Sequence, residues 1–200
     1  MPAPIDFYFD FSSPYGYLAS RRLGGLAVAH GRGVRWRPMM LGAAFAATGG
    51  KPLVELPLKG DYARRDLART ARLWRIPFAL PKRFPVLTLA AARAFYWLED
   101  VAPERAVPFA EAAFSALFAE GRDIADRAIV GELLTAVGAD TVAGLAAINR
   151  PEIKDKLKAE TAAAIGRGVF GSPFIFVDGE PFWGADRLDQ VERWLETGGF

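Results

Sequence analysis

Two short segments carry side chains that suit chemistry on a sulfur atom. Ser12-Ser13-Pro14-Tyr15 follows an apolar run that ends at Phe11, and Ser172-Pro173 precedes a second apolar run. A hydroxyl at a helix start lies beside unpaired backbone N–H groups and a partial positive charge, which together stabilise a thiolate. The 200-residue chain contains no cysteine. Disulfide exchange is therefore excluded, because that reaction needs a thiolate of the protein's own.

Ser13 is the hydroxyl that we expect to face the sulfur of a thiol ligand, and glutathione is the obvious candidate. Ser13 stands directly before Pro14, at the predicted helix start. Free thiols titrate near 8.5, and sites of this kind bring the pKa to roughly 3.5–7.5, so a thiol bound here would be largely ionised. The alternative is that Ser13 only caps the helix, a contribution of about 1 kcal/mol. Ser12 competes for the same role.

Further residues suit the ends of a peptide-like ligand. Lys59 and Asp66 lie seven apart, hence on one helix face, and suit the carboxylate and ammonium of a zwitterion. Asp186 follows Gly184-Ala185 at a predicted helix start and suits an ammonium. Ser172-Pro173 could be a cis step whose backbone pairs with an extended ligand. The alternatives are solvated surface charges, a capping carboxylate and an ordinary trans bond.

Aromatic residues could form a slot for a flat substrate, although aromatic side chains are more often part of a core. The candidates are Trp36, Phe45, Trp74, Phe170 and Trp183.

The pattern of elements predicts an interrupted α/β fold. A strand over Pro4 to Phe11, a helix to about His30 and a strand over Val34 to Pro38 form a β-α-β unit, which requires parallel pairing and a right-handed crossover. Alanine-rich helical stretches then follow one another up to Arg150. We predict these at Gly60 to Trp74, Thr88 to Glu99, Glu104 to Glu120, Asp126 to Val137 and Asp140 to Asn149.

The last quarter returns to a sheet. Pro151 opens a helix, Pro173 to Val177 and Pro181 to Trp183 form a hairpin around Asp178-Gly179, and Asp186 to Leu195 is a helix. Together these elements predict a thioredoxin-like domain, residues 1–40 and 151–200, that is interrupted by an inserted all-helical domain, residues 41–150.

The composition of the chain argues against several classes of function. The net charge is +2 and the basic residues are scattered, so nucleic-acid binding has little support. No run is long and apolar enough to span a bilayer, and we expect no membrane partner. A single histidine, His30, excludes histidine triads and His-rich metal sites, and no metal is expected. The lack of cysteine fits a cytoplasmic enzyme and also a periplasmic one.

The chain resembles the 2-hydroxychromene-2-carboxylate isomerases, in the DsbA-like group that includes kappa-class glutathione transferases. The matching stretches run in the expected order from end to end. They are Asp6 to Tyr15, Lys51-Pro52, Lys59 to Tyr62, Asp66-Leu67, Val169 to Pro173 and Phe182 to Leu188.

The resemblance implies a role for each candidate. Ser13 would face the glutathione sulfur, Lys59 and Asp66 would hold the tripeptide, Ser172 would pair with it before a cis Pro173, and Asp186 would meet its γ-glutamyl end. The family often has Asn at Gly50 and a polar residue at Ala185, so two side-chain hydrogen bonds to glutathione are missing.

The resemblance also implies an activity. Glutathione thiolate would add to ring-opened hydroxybenzylidenepyruvate, a small aromatic substrate, and leave after rotation about the former double bond, in aromatic catabolism. A cytoplasmic homodimer is the family expectation. Two alternatives stay open: a kappa-like transferase that conjugates electrophiles, and a non-catalytic thioredoxin-fold binding module.

Overall fold

A four-stranded sheet forms the centre of the protein in a computed structural model, which describes residues 2–200. The strands are β1 (Ile5–Phe9), β2 (Val34–Pro38), β3 (Phe174–Val177) and β4 (Glu180–Trp183), in the order β2-β1-β3-β4. β1 is parallel to β2 and antiparallel to β3, and β3 is antiparallel to β4. The strands far apart in sequence therefore meet at β1, beside which the Ser12-Ser13 turn begins.

Helices surround this sheet. In chain order they are α1 (Pro14–Ala29), α2 (Leu41–Thr48), α3 (Lys59–Trp74), α4 (Leu89–Val101), α5 (Pro103–Phe118), α6 (Arg127–Ala136), α7 (Thr141–Ala147), α8 (Pro151–Gly166) and α9 (Leu188–Thr197). Short 3₁₀ helices occupy Leu53–Glu55 and Ala185–Arg187. Within residues 2–200, none of the helices is long and apolar enough to cross a membrane.

The core runs without a break from the sheet into the helices. Phe9 at the end of β1 packs on Phe114 of α5, with ring centroids 5.2 Å apart. Tyr17 of α1 stacks on Phe118 of α5 at 5.6 Å. These buried aromatic contacts anchor α1 between the sheet and α5, so the start of α1 has a defined position. The division into domains 1–40 plus 151–200 and 41–150 stays a prediction.

The structure differs from the sequence-based prediction in three places. β1 ends at Phe9, because the carbonyl of Asp10 accepts a hydrogen bond from the Ser13 amide in a tight turn. α2 was not predicted, and it has one buried residue, Ala44. Asp186 lies in the 3₁₀ helix, with α9 starting only at Leu188.

Candidate functional site

Ser13 is both a helix cap and a contact to the distant Ser172 segment. Its hydroxyl accepts a hydrogen bond from the Gly16 amide at 3.0 Å, as a helix N-cap does. The same hydroxyl donates to the Ser172 carbonyl at 2.8 Å. Ser13 is buried, and Ser172-Pro173 is a cis peptide bond, as expected from the resemblance. The two segments singled out in the sequence thus meet through one hydrogen bond.

Gly16 allows this close approach of α1 to the Ser172 segment. A Cβ atom added at Gly16 would lie 3.0 Å from the Ser172 hydroxyl oxygen and 3.2 Å from the Ser13 Cβ. Contacts of this length force the neighbouring atoms to move. A side chain at position 16 would therefore press on both Ser13 and Ser172, whereas glycine leaves them in place.

Asp10 holds the turn that carries the two serines. One of its carboxylate oxygens accepts hydrogen bonds from the Ser12 amide and the Thr88 hydroxyl, both at 2.8 Å, and the other accepts from the Leu41 amide at 2.8 Å. The Asp10 amide donates to the Ser172 hydroxyl at 3.0 Å. This buried carboxylate therefore connects the serine turn to the starts of α2 and α4.

Asp66 is joined to the start of α1 through Tyr15. The Tyr15 hydroxyl donates to Asp66 at 2.8 Å, and Arg69 forms an ion pair with the other Asp66 oxygen. Burial and the bond to Asp66 raise the pKa of Tyr15 well above its ordinary value, and the negative charge of Asp186 adds to this rise. Asp66 and Asp186 consequently lie in one electrostatic neighbourhood around Tyr15.

Lys59 opens α3, one residue before the predicted start at Gly60, and Asp66 lies in the same helix. Seven residues of helix span about 10 Å along the axis. Lys59 is exposed, and within residues 2–200 its ammonium has no ion-pair partner. The exposed Asp186 pairs only with its neighbour Arg187, at 3.1 Å. Both groups are accessible to a charged ligand.

Two backbone N–H groups beside Ser13 have no acceptor in the part of the chain that the structure describes. One belongs to Tyr15, the first donor of α1 because Pro14 has none, and the other to Ser172. Unpaired N–H groups at a helix start are hydrogen-bond donors for anions. A thiolate or a peptide carbonyl at this place would therefore find donors in the backbone itself.

Gly50 and Ala185, the two positions at which the chain differs from the family pattern, have different surroundings. A Cβ at Gly50 would lie 2.8 Å from the Phe45 ring, so that ring occupies the space that an Asn side chain would need. Ala185 is buried, directly before Asp186.

The aromatic candidates are divided between the core and the surface. Trp36 is buried against Phe7, with ring centroids 5.1 Å apart, so it belongs to the core, the alternative that the sequence left open. Trp74 packs under the Arg22 guanidinium at 4.5 Å. Trp183 and Phe170 are exposed and in edge contact, with ring centroids 4.8 Å apart. Phe170 lies two residues before Ser172, and Trp183 pairs with Phe174 in the sheet. A Cβ added at Gly171 would meet the Trp183 ring, so this exposed aromatic pair adjoins the residue directly before Ser172.

Three residues of this arrangement were missed by the sequence-based prediction of the site. Asp10 and Thr88 are 78 positions apart, and no local pattern links them. Tyr15 lies inside a matching stretch, yet its partner Asp66 is 51 positions away. The sequence contained one local signal for these residues: Asp10 is an acidic residue directly after a buried strand.

The sequence matches the DSBA-like thioredoxin domain family over residues 4–196. The chain belongs to that family. The chain is 33% identical over 197 residues to a 2-hydroxychromene-2-carboxylate isomerase of Sphingobium xenophagum, covering 98% of this chain and 99% of the relative. The resemblance to these isomerases is thereby confirmed, as is the DsbA-like α/β fold.

The chain is also similar to a solved isomerase structure and to a glutathione transferase. A solved structure of a 2-hydroxychromene-2-carboxylate isomerase superimposes with a TM-score of 0.88 at 31% identity, over 96% of this chain and 94% of that one. Glutathione S-transferase kappa 2 of Caenorhabditis elegans is 29% identical, over 96% of this chain and 91% of the relative. This DSBA-like protein thus resembles both an isomerase and a transferase class.

Proposed function

We propose that this protein is a glutathione-dependent isomerase that converts 2-hydroxychromene-2-carboxylate to trans-o-hydroxybenzylidenepyruvate. The observation that carries the proposal is the contact of Ser13 with Ser172 at the start of α1, in a chain without cysteine. Relatives with this activity in their names match nearly the full chain at 33–34% identity. A thiol-dependent reaction on this scaffold must use a thiol from a ligand.

The residues around Ser13 fit a zwitterionic tripeptide. The Ser172 N–H is a free donor for an extended backbone. Asp66 and Asp186, both near Tyr15, are suited to an ammonium group, and the unpaired Lys59 to a carboxylate. Opposite charges at both ends would orient the ligand, and we assign these residues, with Pro173, to glutathione binding.

The chain's own contribution to the chemistry is electrostatic. When bound, glutathione supplies a thiolate that adds reversibly to a conjugated double bond and so allows rotation. Ser13 holds the thiolate by donating its hydroxyl proton, and the Tyr15 N–H adds the field of the α1 start. Because the Ser13 hydroxyl donates to the Ser172 carbonyl, it must rotate before it can donate to sulfur.

An absorbance assay tests the proposal. Conversion of 2-hydroxychromene-2-carboxylate is followed with the purified protein, with and without glutathione. We expect conversion only when glutathione is present, and the glutathione concentration unchanged at the end. Conversion of equal rate without glutathione, or none in its presence, would contradict the proposed function.

A matched pair of variants tests the glutathione site. Asp186→Asn removes a charge next to Tyr15, whereas Asp189→Asn removes an equally exposed charge on α9 with only a 3.8 Å pair to Arg22. Glutathione raises the melting temperature if it binds the folded state. We expect this rise to shrink for Asp186→Asn and to persist for Asp189→Asn. Equal rises in both variants would remove Asp186 from the site.

The kappa-like transferase is a second candidate, supported by the likeness to the Caenorhabditis elegans protein. The exposed pair Phe170 and Trp183 would accept a range of flat electrophiles as readily as one substrate. The two activities differ in whether glutathione is consumed: a transferase uses one glutathione for each adduct released, and an isomerase uses none. Measuring free thiol during turnover distinguishes them.

A further inference from the structure

A cleft lies where the starts of α4 and α6 meet the end of α7. It has a volume of about 260 Å³, slightly below the roughly 300–1,000 Å³ typical of drug-sized ligands, so it suits a one- or two-ring molecule. Its lining residues are Leu87, Leu89, Ala90, Arg93, Ala125, Arg127, Ile148 and Asn149. None of these eight residues has a carboxylate, and two have a guanidinium.

The two arginines have no counter-ions within residues 2–200. Neither Arg93 nor Arg127 takes part in an ion pair, and Arg127 donates only to the Leu145 carbonyl, at 2.7 Å. The carboxylates nearest in sequence are engaged elsewhere. Asp123 pairs with Arg83 and accepts from a backbone amide, and Asp126 caps α6. The cleft therefore has a positive charge that the described chain does not neutralise.

Arg93 carries an unsatisfied buried donor. Its Nε atom is the one buried side-chain nitrogen or oxygen in residues 2–200 that has no hydrogen-bond partner. Leaving such a donor unpaired is costly, and a charged donor more so than a neutral one. A planar guanidinium matches the two oxygens of a carboxylate, so a carboxylate bound at the terminal nitrogens of Arg93 would neutralise the charge to which this donor belongs.

The remaining walls are apolar. Leu89 and Ala90 lie one turn before Arg93 on the same face of α4, Leu87 is exposed at the rim, and Ile148 is buried. We propose that this cleft binds a small aromatic carboxylate, with Arg93 and Arg127 on its carboxylate and the apolar residues around its ring. The proposal concerns binding alone and does not depend on the proposed isomerase activity.

The cleft also adjoins the network of the serine turn. Leu87 and Leu89 flank Thr88, whose hydroxyl donates to Asp10. A ligand in the cleft would thus lie one residue from the support of the Ser12-Ser13 turn. Thr88 itself is buried and bonded to Asp10, so it separates the cleft from that turn.

Calorimetry with naphthoate, and with neutral naphthamide as the uncharged analogue, tests the proposal on the full chain without glutathione. We expect naphthoate to bind and naphthamide to bind at least tenfold more weakly. Arg93→Gln should weaken naphthoate binding about tenfold or more, the effect of losing a charge-assisted pair. Arg72→Gln, on exposed α3 and without an ion pair, is the control and should change nothing.

Two further measurements keep the outcome decisive. If Arg93→Gln does not fold, the exposed rim variant Leu87→Ser replaces it, and we expect weaker binding of naphthoate with melting temperature unchanged. Glutathione binding by Arg93→Gln should match the wild type, which separates this cleft from the Ser13 site. Equal affinity for naphthoate and naphthamide, no binding of naphthoate at millimolar concentration, or unchanged affinity in the folded variant would each overturn the proposal.

Discussion

Replacing Ser13 by alanine removes two hydrogen bonds of a single buried hydroxyl. The Gly16 amide loses its cap acceptor, which costs about 1 kcal/mol, and the Ser172 carbonyl loses its donor, which costs about 1 kcal/mol more. Proteins of 150–250 residues lose about 2–4 °C of melting temperature for each kcal/mol. We expect Ser13→Ala to unfold about 4–8 °C below the wild type.

The effect on rate follows from the same geometry. Donation to a thiolate is worth roughly 1.5–3 kcal/mol, but the Ser13 hydroxyl must first give up its bond to Ser172, worth about 0.5–1.5 kcal/mol. At the middle of both ranges the net gain is about 1.25 kcal/mol, so the isomerisation rate of Ser13→Ala should fall only about five- to tenfold at neutral pH. The rate should recover as the pH rises, because the thiol then ionises without help.

The control is Ser12→Ala at the neighbouring position. Ser12 uses its backbone amide, not its hydroxyl, to bond Asp10, so both melting temperature and rate should stay close to those of the wild type. The assays are calorimetric unfolding and the chromene absorbance assay over a range of pH. An unchanged rate and pH profile in folded Ser13→Ala would refute the role of Ser13 in stabilising the thiolate. A rate reduced more than a hundredfold would refute the argument that the hydroxyl gives up its bond to Ser172 when it bonds the thiolate.

Three further changes test the supports of the site. Gly16→Ala should lower the melting temperature, since its Cβ would lie 3.0 Å from the Ser172 hydroxyl oxygen. Gly24→Ala is the control in the same helix: its Cβ meets nothing within 4 Å, and it should raise the free energy of unfolding by about 0.5–1 kcal/mol. Equal effects of the two variants would contradict the packing argument. Asp10→Asn should cost about 2 kcal/mol in urea unfolding with an unchanged slope, as its carboxylate accepts three hydrogen bonds. Tyr15 has a raised pKa, so the unfolded chain releases its proton first and the free energy of unfolding falls as pH rises above about 10. Tyr15→Phe should reduce this fall, and a spectroscopic titration showing Tyr15 ionised near pH 10 would contradict it.

Local patterns in the sequence were sufficient for most of the elements. Proline at the first helical position and a serine before it predicted the start of α1, and both are there. Alanine-rich stretches between prolines and glycines predicted α3 to α7 with ends shifted by a few residues. α2 escaped prediction because it has no side-chain cap and one buried residue, so neither a start signal nor an apolar face marks it.

The sequence by itself determined that this protein has no thiol of its own, that a capped helix follows its first strand, and that it resembles a glutathione-using family. Only the tertiary structure decided which groups meet. Ser13 and Ser172 are 159 positions apart and Asp10 and Thr88 are 78 apart, and their hydrogen bonds exist because β1 pairs with β3 and α4 starts beside the end of β1. Helix and strand signals are local in the chain, whereas contacts between elements depend on how the sheet and core pack. That is why the candidate residues could be named from the sequence but their partners could not.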